Sequence, residues 1–320
     1  MTMHLQSRNW AGLAMLTVVI LASGCSVQRF AANQIGDTLA AAGTTYSADE
    51  DPDLVGAALP FSLKLMESVL ASTPEHRGLL AATSAGFTQY AYAFVQQEAD
   101  AIALEDTERA WVELNRARRL YLRARDYGLR GLDVAVPGFS ATLRTTPAAA
   151  VAQAGAAEVD LLYWTAASWA AAVALGKDDP SLVADLALVS ALIDRALAVN
   201  ADWDRGAIHS FLVTYEMARP DIMGDRIAGA RSHFDRAVLL SQGKAAGPYV
   251  SWAESVCLPR EDRVCFGEML QAAMKIDPDD EPATRLANTI YQRRAAWLLA
   301  NVDRWILPPL DETEGQEEQP

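Results

Sequence analysis

Residues 180–200 read PSLVADLALVSALIDRALAVN. Asp179 precedes Pro180, so a capping carboxylate stands before a proline at the first helical position. Apolar positions then recur at intervals of three and four, and Val189, Ile193 and Ala196 fall at i, i+4 and i+7. That period is helical, since a half-buried strand alternates every two residues. Working outward, the same periodicity holds over most of the chain. Alanine is abundant and β-branched alternation is almost absent. Asp51-Pro52, Thr73-Pro74 and Thr146-Pro147 repeat the start signal. The expectation is an all-α protein with helices near 27–41, 52–71, 74–103, 105–127, 147–176, 180–199, 202–218, 225–241, 247–257, 261–275 and 281–305. Residues 128–146, with Gly128, Gly131, Pro137 and Gly138, read as the longest connection without helix.

The small–large–alanine triplet recurs. Ala117, Tyr121 and Ala124 match it, as do Ala230, Phe234 and Ala237, and Phe266, Leu270 and Ala273. The last of these runs into Ile276-Asp277-Pro278. Its closing alanines lie at 124, 196, 237 and 273, so the two later spacings approach the roughly 34-residue period of a tetratricopeptide repeat (TPR). The first spacing is about twice as long. The pattern resembles the second helix of a TPR, where a small residue lets paired helices approach. The expected architecture is a single α-solenoid-like domain of TPR-like helical pairs over 47–306. Generic amphipathic helices are the competing reading.

The chain starts with an address. Trp10 to Ala22 is apolar and uncharged, behind a polar stretch that carries Arg8. Thirteen residues are too few to span a bilayer, which takes about 20, but suit the core of a signal peptide. Ala22, Ser23 and Gly24 then meet Cys25, an arrangement that resembles a bacterial lipobox, with Ala22 where leucine is commoner. The resemblance implies removal of residues 1–24 and lipidation of Cys25, with 25–46 as the lipidated segment and first helix. Several acyl chains hold a protein on a membrane stably. Ser26, with no aspartate there, favours the outer over the inner membrane for a body facing the periplasm. No second apolar run of spanning length is expected. Residues 307–320 end in DETEGQEEQP and read as a disordered acidic tail.

Charge and cysteine usage narrow the function. The full chain carries a formal net charge of −14, and loss of the peptide with Arg8 makes it one unit more negative. Nucleic acid and anionic lipid are therefore disfavoured as partners. In an oxidising compartment Cys257 and Cys265 are expected to pair, with two buried thiols as the alternative. No phosphate-binding glycine loop, G-x-S-x-G or H-E-x-x-H is present. Asp277, Asp279, Asp280 and Glu281 lack the glycine and closing glutamate of an EF-hand. No enzyme, metal site or cofactor is expected.

Three stretches are candidates for binding. In SAGFTQYAYAFVQQEAD (84–100), Phe87, Tyr90 and Phe94 form a stripe beside Gln89 and Gln97. In LYWTAASWAAAVAL (162–175), Tyr163, Trp164 and Trp169 stand among alanines. Either set suits an aromatic-lined channel, and core packing is the competing reading. Arg116, Arg119 and Arg123 are candidates for an anion or an acidic partner surface, against a solvated, ion-paired face.

These stretches, with DPDLVGAALPFSLKLMESVL, RARRLYLRARDYGLRGL, RGAIHSFL and FGEMLQAAMKIDPDDEPATRLANTIYQRRAAWLL, stand in one order behind the lipobox. Together they resemble the T component (TatT) of tripartite ATP-independent periplasmic (TRAP) transporters, over residues 30–305. The resemblance implies a TPR-like lipoprotein that associates with the periplasmic substrate-binding P subunit. It also implies a homotrimer, with a channel in each subunit that holds or passes a hydrophobic or organic-acid ligand. It carries no catalytic residues. The rival expectation is a TPR scaffold for envelope assembly with no ligand of its own.

Overall fold

The structure is a computed structural model that describes residues 32–220 and 224–308. Cys25, the signal peptide 1–24 and nearly all of the tail 307–320 lie outside the described residues. Every element among the described residues is helical. In chain order they are α1 (32–41), α2 (Gly43–Ser47), α3 (Pro52–Ser72), α4 (Arg77–Ala91), α5 (Gln97–Ile102), α6 (Thr107–Ala135), α7 (Phe139–Thr145), α8 (Pro147–Ala152) and α9 (Val159–Ala174). The second half holds α10 (Pro180–Ala184), α11 (Leu186–Val199), α12 (Ala207–Ala218), α13 (Arg226–Leu240), α14 (Gly247–Trp252), α15 (Arg263–Met274), α16 (Arg285–Ala300) and α17 (Val302–Trp305).

Local chemistry sets the starts. Asp51, Asp106, Asp179, Asp225 and Asp262 each accept a backbone N–H from the first turn behind them. Thr73 does not start a helix. Its hydroxyl donates back to the Val69 carbonyl at the end of α3, and α4 begins at Arg77, capped by His76 Nδ1 on Leu79 N at 3.1 Å. Pro147 opens α8, but Thr146 makes no side-chain cap.

Three further features differ from the sequence reading. The expected connection at 128–146 is mostly helix, because α6 runs on to Ala135 and α7 follows Gly138 (φ 79°). Gly128 and Gly131 are inside α6 for a packing reason. A Cβ on Gly128 would run into the Thr165 side chain and one on Gly131 into Leu161, both on α9. The expected helix 147–176 is broken between α8 and α9, and Arg195 takes up the carbonyls released there, Nε to Ala154 O at 2.8 Å and Nη2 to Ala152 O at 3.4 Å. Finally, α3 is a second run of membrane-spanning length, with mean hydropathy 1.5 over its 18-residue window, where none was expected. One face, Leu63, Met66 and Leu70, packs with Leu79, Leu80 and Phe87 of α4, which places α3 at the edge of the helix stack.

The helices pack in sequence. α3 lies on α4, α4 on α6, α6 on α9 and α9 on α11; α12 then contacts α13 and α14, and α15 lies between α14 and α16. All twelve residues of the four triplets are buried, none above 6 % exposure. One core cluster spans α9 and α11, with Trp169 and Leu192 at its centre; a second joins α12 to α16 around Phe266 and Leu270. The last long helix returns to the start of the stack. Arg285 donates to the Ala48 carbonyl at 2.8 Å, and Arg293 pairs with Asp53 at 2.7 Å.

Candidate functional site: a charged and aromatic cluster at α16

The chain departs from regular α-helix at two π-helical turns, and both face α16. The first, Tyr92–Gln96, joins α4 to α5; the second, Ala253–Cys257, follows α14. A π turn adds a residue and turns the side chains beyond it to a new face, and such turns concentrate at functional sites. Here they bring Asp100 and Glu254 to one arginine of α16. Arg294 holds Glu254 Oε1 through Nε at 3.0 Å and Nη2 at 2.6 Å, and its Nη1 lies 3.0 Å from Asp100 Oδ2. Burial pushes both carboxyl groups above their ordinary range, although Arg294 pulls the other way. Asp100 and Glu254 each keep 27 % of their side-chain surface accessible while protein surrounds them.

Tyrosines gather around the same cluster. Tyr92 and Tyr291 rings lie 5.8 Å apart, and Tyr121 Oη donates to Gln96 Oε1 at 2.7 Å. Tyr291 is within electrostatic reach of Tyr92, Tyr121 and Tyr163, and burial pushes the hydroxyls of all four upward. Tyr92, Tyr163 and Tyr291 nonetheless retain accessible surface. Tyr163 on α9 stands edge-on to Trp164 at 4.9 Å and meets Trp203 at 4.8 Å and Phe211 at 6.2 Å. Trp203 reaches Tyr163 from a sharp turn in which Asp204, Arg205 and Gly206 are all left-handed (φ 45°, 53° and 89°). For the two non-glycine residues that costs roughly 1 kcal/mol each.

The predicted candidates separate into four places. Tyr163 and Trp164 are partly exposed on α9, and Tyr163 packs against the core beside Trp203 and Phe211. Phe94 and Gln97 line a separate surface pocket of about 160 Å³ with Pro52, Asp53, Ile290 and Arg293. Phe87 and Trp169 are core. Phe87 stacks on Tyr127 at 6.1 Å under Arg123, and Trp169 is fully buried with Nε1 donating to Asp185 at 3.2 Å. Gln89 and the three arginines face solvent. Arg116 pairs with Glu113 and reaches the Tyr90 hydroxyl at 3.4 Å, Arg123 pairs with Glu67 at 2.6 Å, and Arg119 is exposed beside them on α6. Tyr90 packs on Phe94, with ring centroids 5.9 Å apart.

Sequence reading missed Asp100, Glu254, Arg294, Tyr92, Tyr291, Trp203 and Phe211. The available signal was weak: Gln96 and Asp100 at i, i+4, and the doubled Arg293-Arg294, of which one points out and the other in. The disulfide Cys257–Cys265 joins the second π turn to the first turn of α15, with Cα atoms 5.6 Å apart. It ties down the segment that presents Glu254. Away from this cluster, His209 and His233 face each other through Nδ1 at 2.8 Å. Burial lowers both, and with the neighbouring His233 and Arg236 it brings His209 to about 4.

Comparison with known proteins places this geometry in a family. The chain is 29% identical over 306 residues to an uncharacterized protein of Treponema pallidum (strain Nichols), covering 90% of this chain and 95% of that one. Residues 48–305 match the family described as TRAP transporter T-component, a stretch that contains every helix from α3 to α17 and the whole Arg294 cluster. The chain belongs to the TRAP transporter T-component family.

Proposed function

We propose that this protein is the membrane-anchored, periplasmic T subunit of a TRAP-type uptake system, and that it holds or passes a small ligand delivered by the substrate-binding P subunit. Family membership supports the transporter role. The observation that carries the ligand role is the partial accessibility of Tyr92, Tyr163, Trp164, Tyr291 and Glu254, aromatic and acidic side chains gathered around and beside the Arg294 cluster. Core side chains bury such surface; a lining keeps it. Of the two ligand classes expected, a hydrophobic one is favoured over an organic acid. Arg294 is already shared by two carboxylates, so a third would meet net negative charge. Lipidation at Cys25 supplies the anchor, to the outer membrane by the residue that follows it. The buried triplets support a TPR-like ancestry for the helical pairs, and a homotrimer completes the reading.

Native mass spectrometry of the lipid-free body, alone and mixed with the P subunit of the same transporter, tests this. The expected result is a trimer with a small-molecule adduct that takes up the P subunit. A ligand-free monomer that ignores it would return the protein to the scaffold reading.

A further inference from the structure

Helix α3 is apolar over a membrane-spanning length, yet only 22 % of its 18-residue apolar window is buried. A helix of that composition belongs in a core or in lipid. Its buried side is Leu63, Met66 and Leu70, packed with Leu79, Leu80 and Phe87 of α4. Turned away from that side, Leu54, Ala57, Phe61 and Leu65 follow at intervals of three and four, and Phe61 is 73 % exposed. Exposed Pro60 widens the stripe. Acids stay off this face. Glu50, Asp51 and Asp53 gather at its N-terminal end, and from Leu54 to Ser72 the only exposed charged residue is Lys64. Glu67 is the other charge on that stretch, and its carboxylate is taken up by Lys64, Arg123 and the Tyr127 hydroxyl.

The start of the described chain indicates what covers the stripe. α1 and α2 run beside α3: Leu39 packs in the cluster of α3 with α4, and the Tyr46 hydroxyl meets that of Ser62. The first turn of α1 sits just past the C-terminal end of α3, where His76 Nε2 lies 3.2 Å from the Asn33 carbonyl. Cys25 is seven residues before Ala32. Seven residues reach at most about 25 Å, less than the roughly 32 Å length of α3. A bilayer entered by acyl chains on Cys25 is therefore within one helix length of the uncovered stripe.

We propose that α3 lies flat on the lipid surface that holds the Cys25 anchor, with Leu54, Phe61 and Leu65 at the acyl boundary and Lys64 among the headgroups. α3 does not cross the bilayer, because its other side is held by α4. Amphipathic helices bind membranes in this manner, and a lysine stem lets its charge reach the headgroups. The anchor makes the contact intramolecular, so a stripe too small to hold the protein by itself still engages. The contact is apolar, which suits a chain of net charge −14 better than attraction to anionic lipid. The inference rests on the anchor of the proposed function and adds the face that the body turns to the membrane.

The test uses the full chain processed in a bacterial envelope, purified in detergent and returned to phosphatidylethanolamine–phosphatidylcholine vesicles that contain a doxyl-labelled quencher lipid. Cys257 and Cys265 are bonded to each other, so Phe61→Cys and Leu65→Cys each offer one thiol for an environment-sensitive fluorophore once Cys25 is acylated. Intact mass reports the acylation. Quenching of about twofold or more is expected at both sites, and none at Val264→Cys, an exposed position of α15. Adding Phe61→Glu to the Leu65→Cys protein is expected to remove most of its quenching. Acylated, vesicle-bound protein whose Phe61→Cys and Leu65→Cys probes are quenched no more than the Val264→Cys probe overturns the inference and leaves the anchor standing. Blue-shifted emission without quenching means that protein, such as a second copy, covers α3, and the inference falls. Protein that carries no acyl mass and does not bind vesicles overturns both.

Discussion

The contact of α6 with α9 and the contact of α16 with α5 and the second π turn are built on opposite principles. Across the first, Gly128 and Gly131 leave no room for a methyl group, and Thr165 and Leu161 fill the gap. Across the second, an arginine, two carboxylates and two tyrosines meet, and they retain accessible surface. The dry contact gives rigidity through close packing. A buried charge cluster is a poor means of stabilisation, because desolvation offsets most of its Coulombic gain. Its retention at the point where the helix stack closes argues that this contact serves a lining. On α9, Trp169 is fully buried and Trp164 is partly exposed.

The largest effect tests that division on one helix. Trp169→Ala is expected to lower the unfolding free energy by about 3–5 kcal/mol. Trp164→Ala is expected to cost less than half as much while changing ligand retention in native mass spectra. Equal losses in urea titrations would break the division.

Next comes the closing arginine. Arg294→Leu leaves two buried carboxylates without a counter-charge and is expected to cost about 3–5 kcal/mol near neutral pH. Both carboxyls already sit above their ordinary range when folded, so the folded state keeps their protons to higher pH than the unfolded chain. Their contribution is full below the ordinary carboxyl value and is lost as pH rises through the raised one. Loss of Arg294 raises them further. The variant is therefore expected to recover stability as pH falls, and Asp100→Asn with Glu254→Gln should restore it without acid. A loss independent of pH would mean that the cluster acts by packing alone.

Smaller effects sharpen the dry side. Gly128→Ala is expected to cost about 1–3 kcal/mol, since Thr165 lies on packed α9 and cannot withdraw freely. Gly267→Ala, where a Cβ meets nothing within 4 Å, is expected to gain up to about 1 kcal/mol from helix propensity. Chemical denaturation of the pair separates steric fit from propensity.

The smallest effect lies outside both contacts. His209 is held near 4 when folded against about 6.5 unfolded, so the unfolded chain binds the extra proton between those values. Stability is expected to fall by roughly 1 kcal/mol as pH drops from 6.5 toward 4, part of the shift being screened by solvent. His209→Gln should flatten that slope in thermal melts.

Taken alone, the sequence determined the helical class, most helix starts and the four buried triplets. Those features are local: a carboxylate caps the turn beside it, and a 3.6-residue period selects a face before any partner is present. Tertiary structure decided the rest. Gly128 and Gly131 read as breakers until α9 is seen against them. Tyr163 and Trp169 read alike, yet one stays partly exposed at the core's edge and the other is fully buried, because that depends on what lies opposite. Asp100, Glu254 and Arg294 come from three separate helical segments and become one cluster only where the stack closes on itself. Two π turns make that meeting possible, and helical periodicity, which assumes a constant turn, does not register a single added residue.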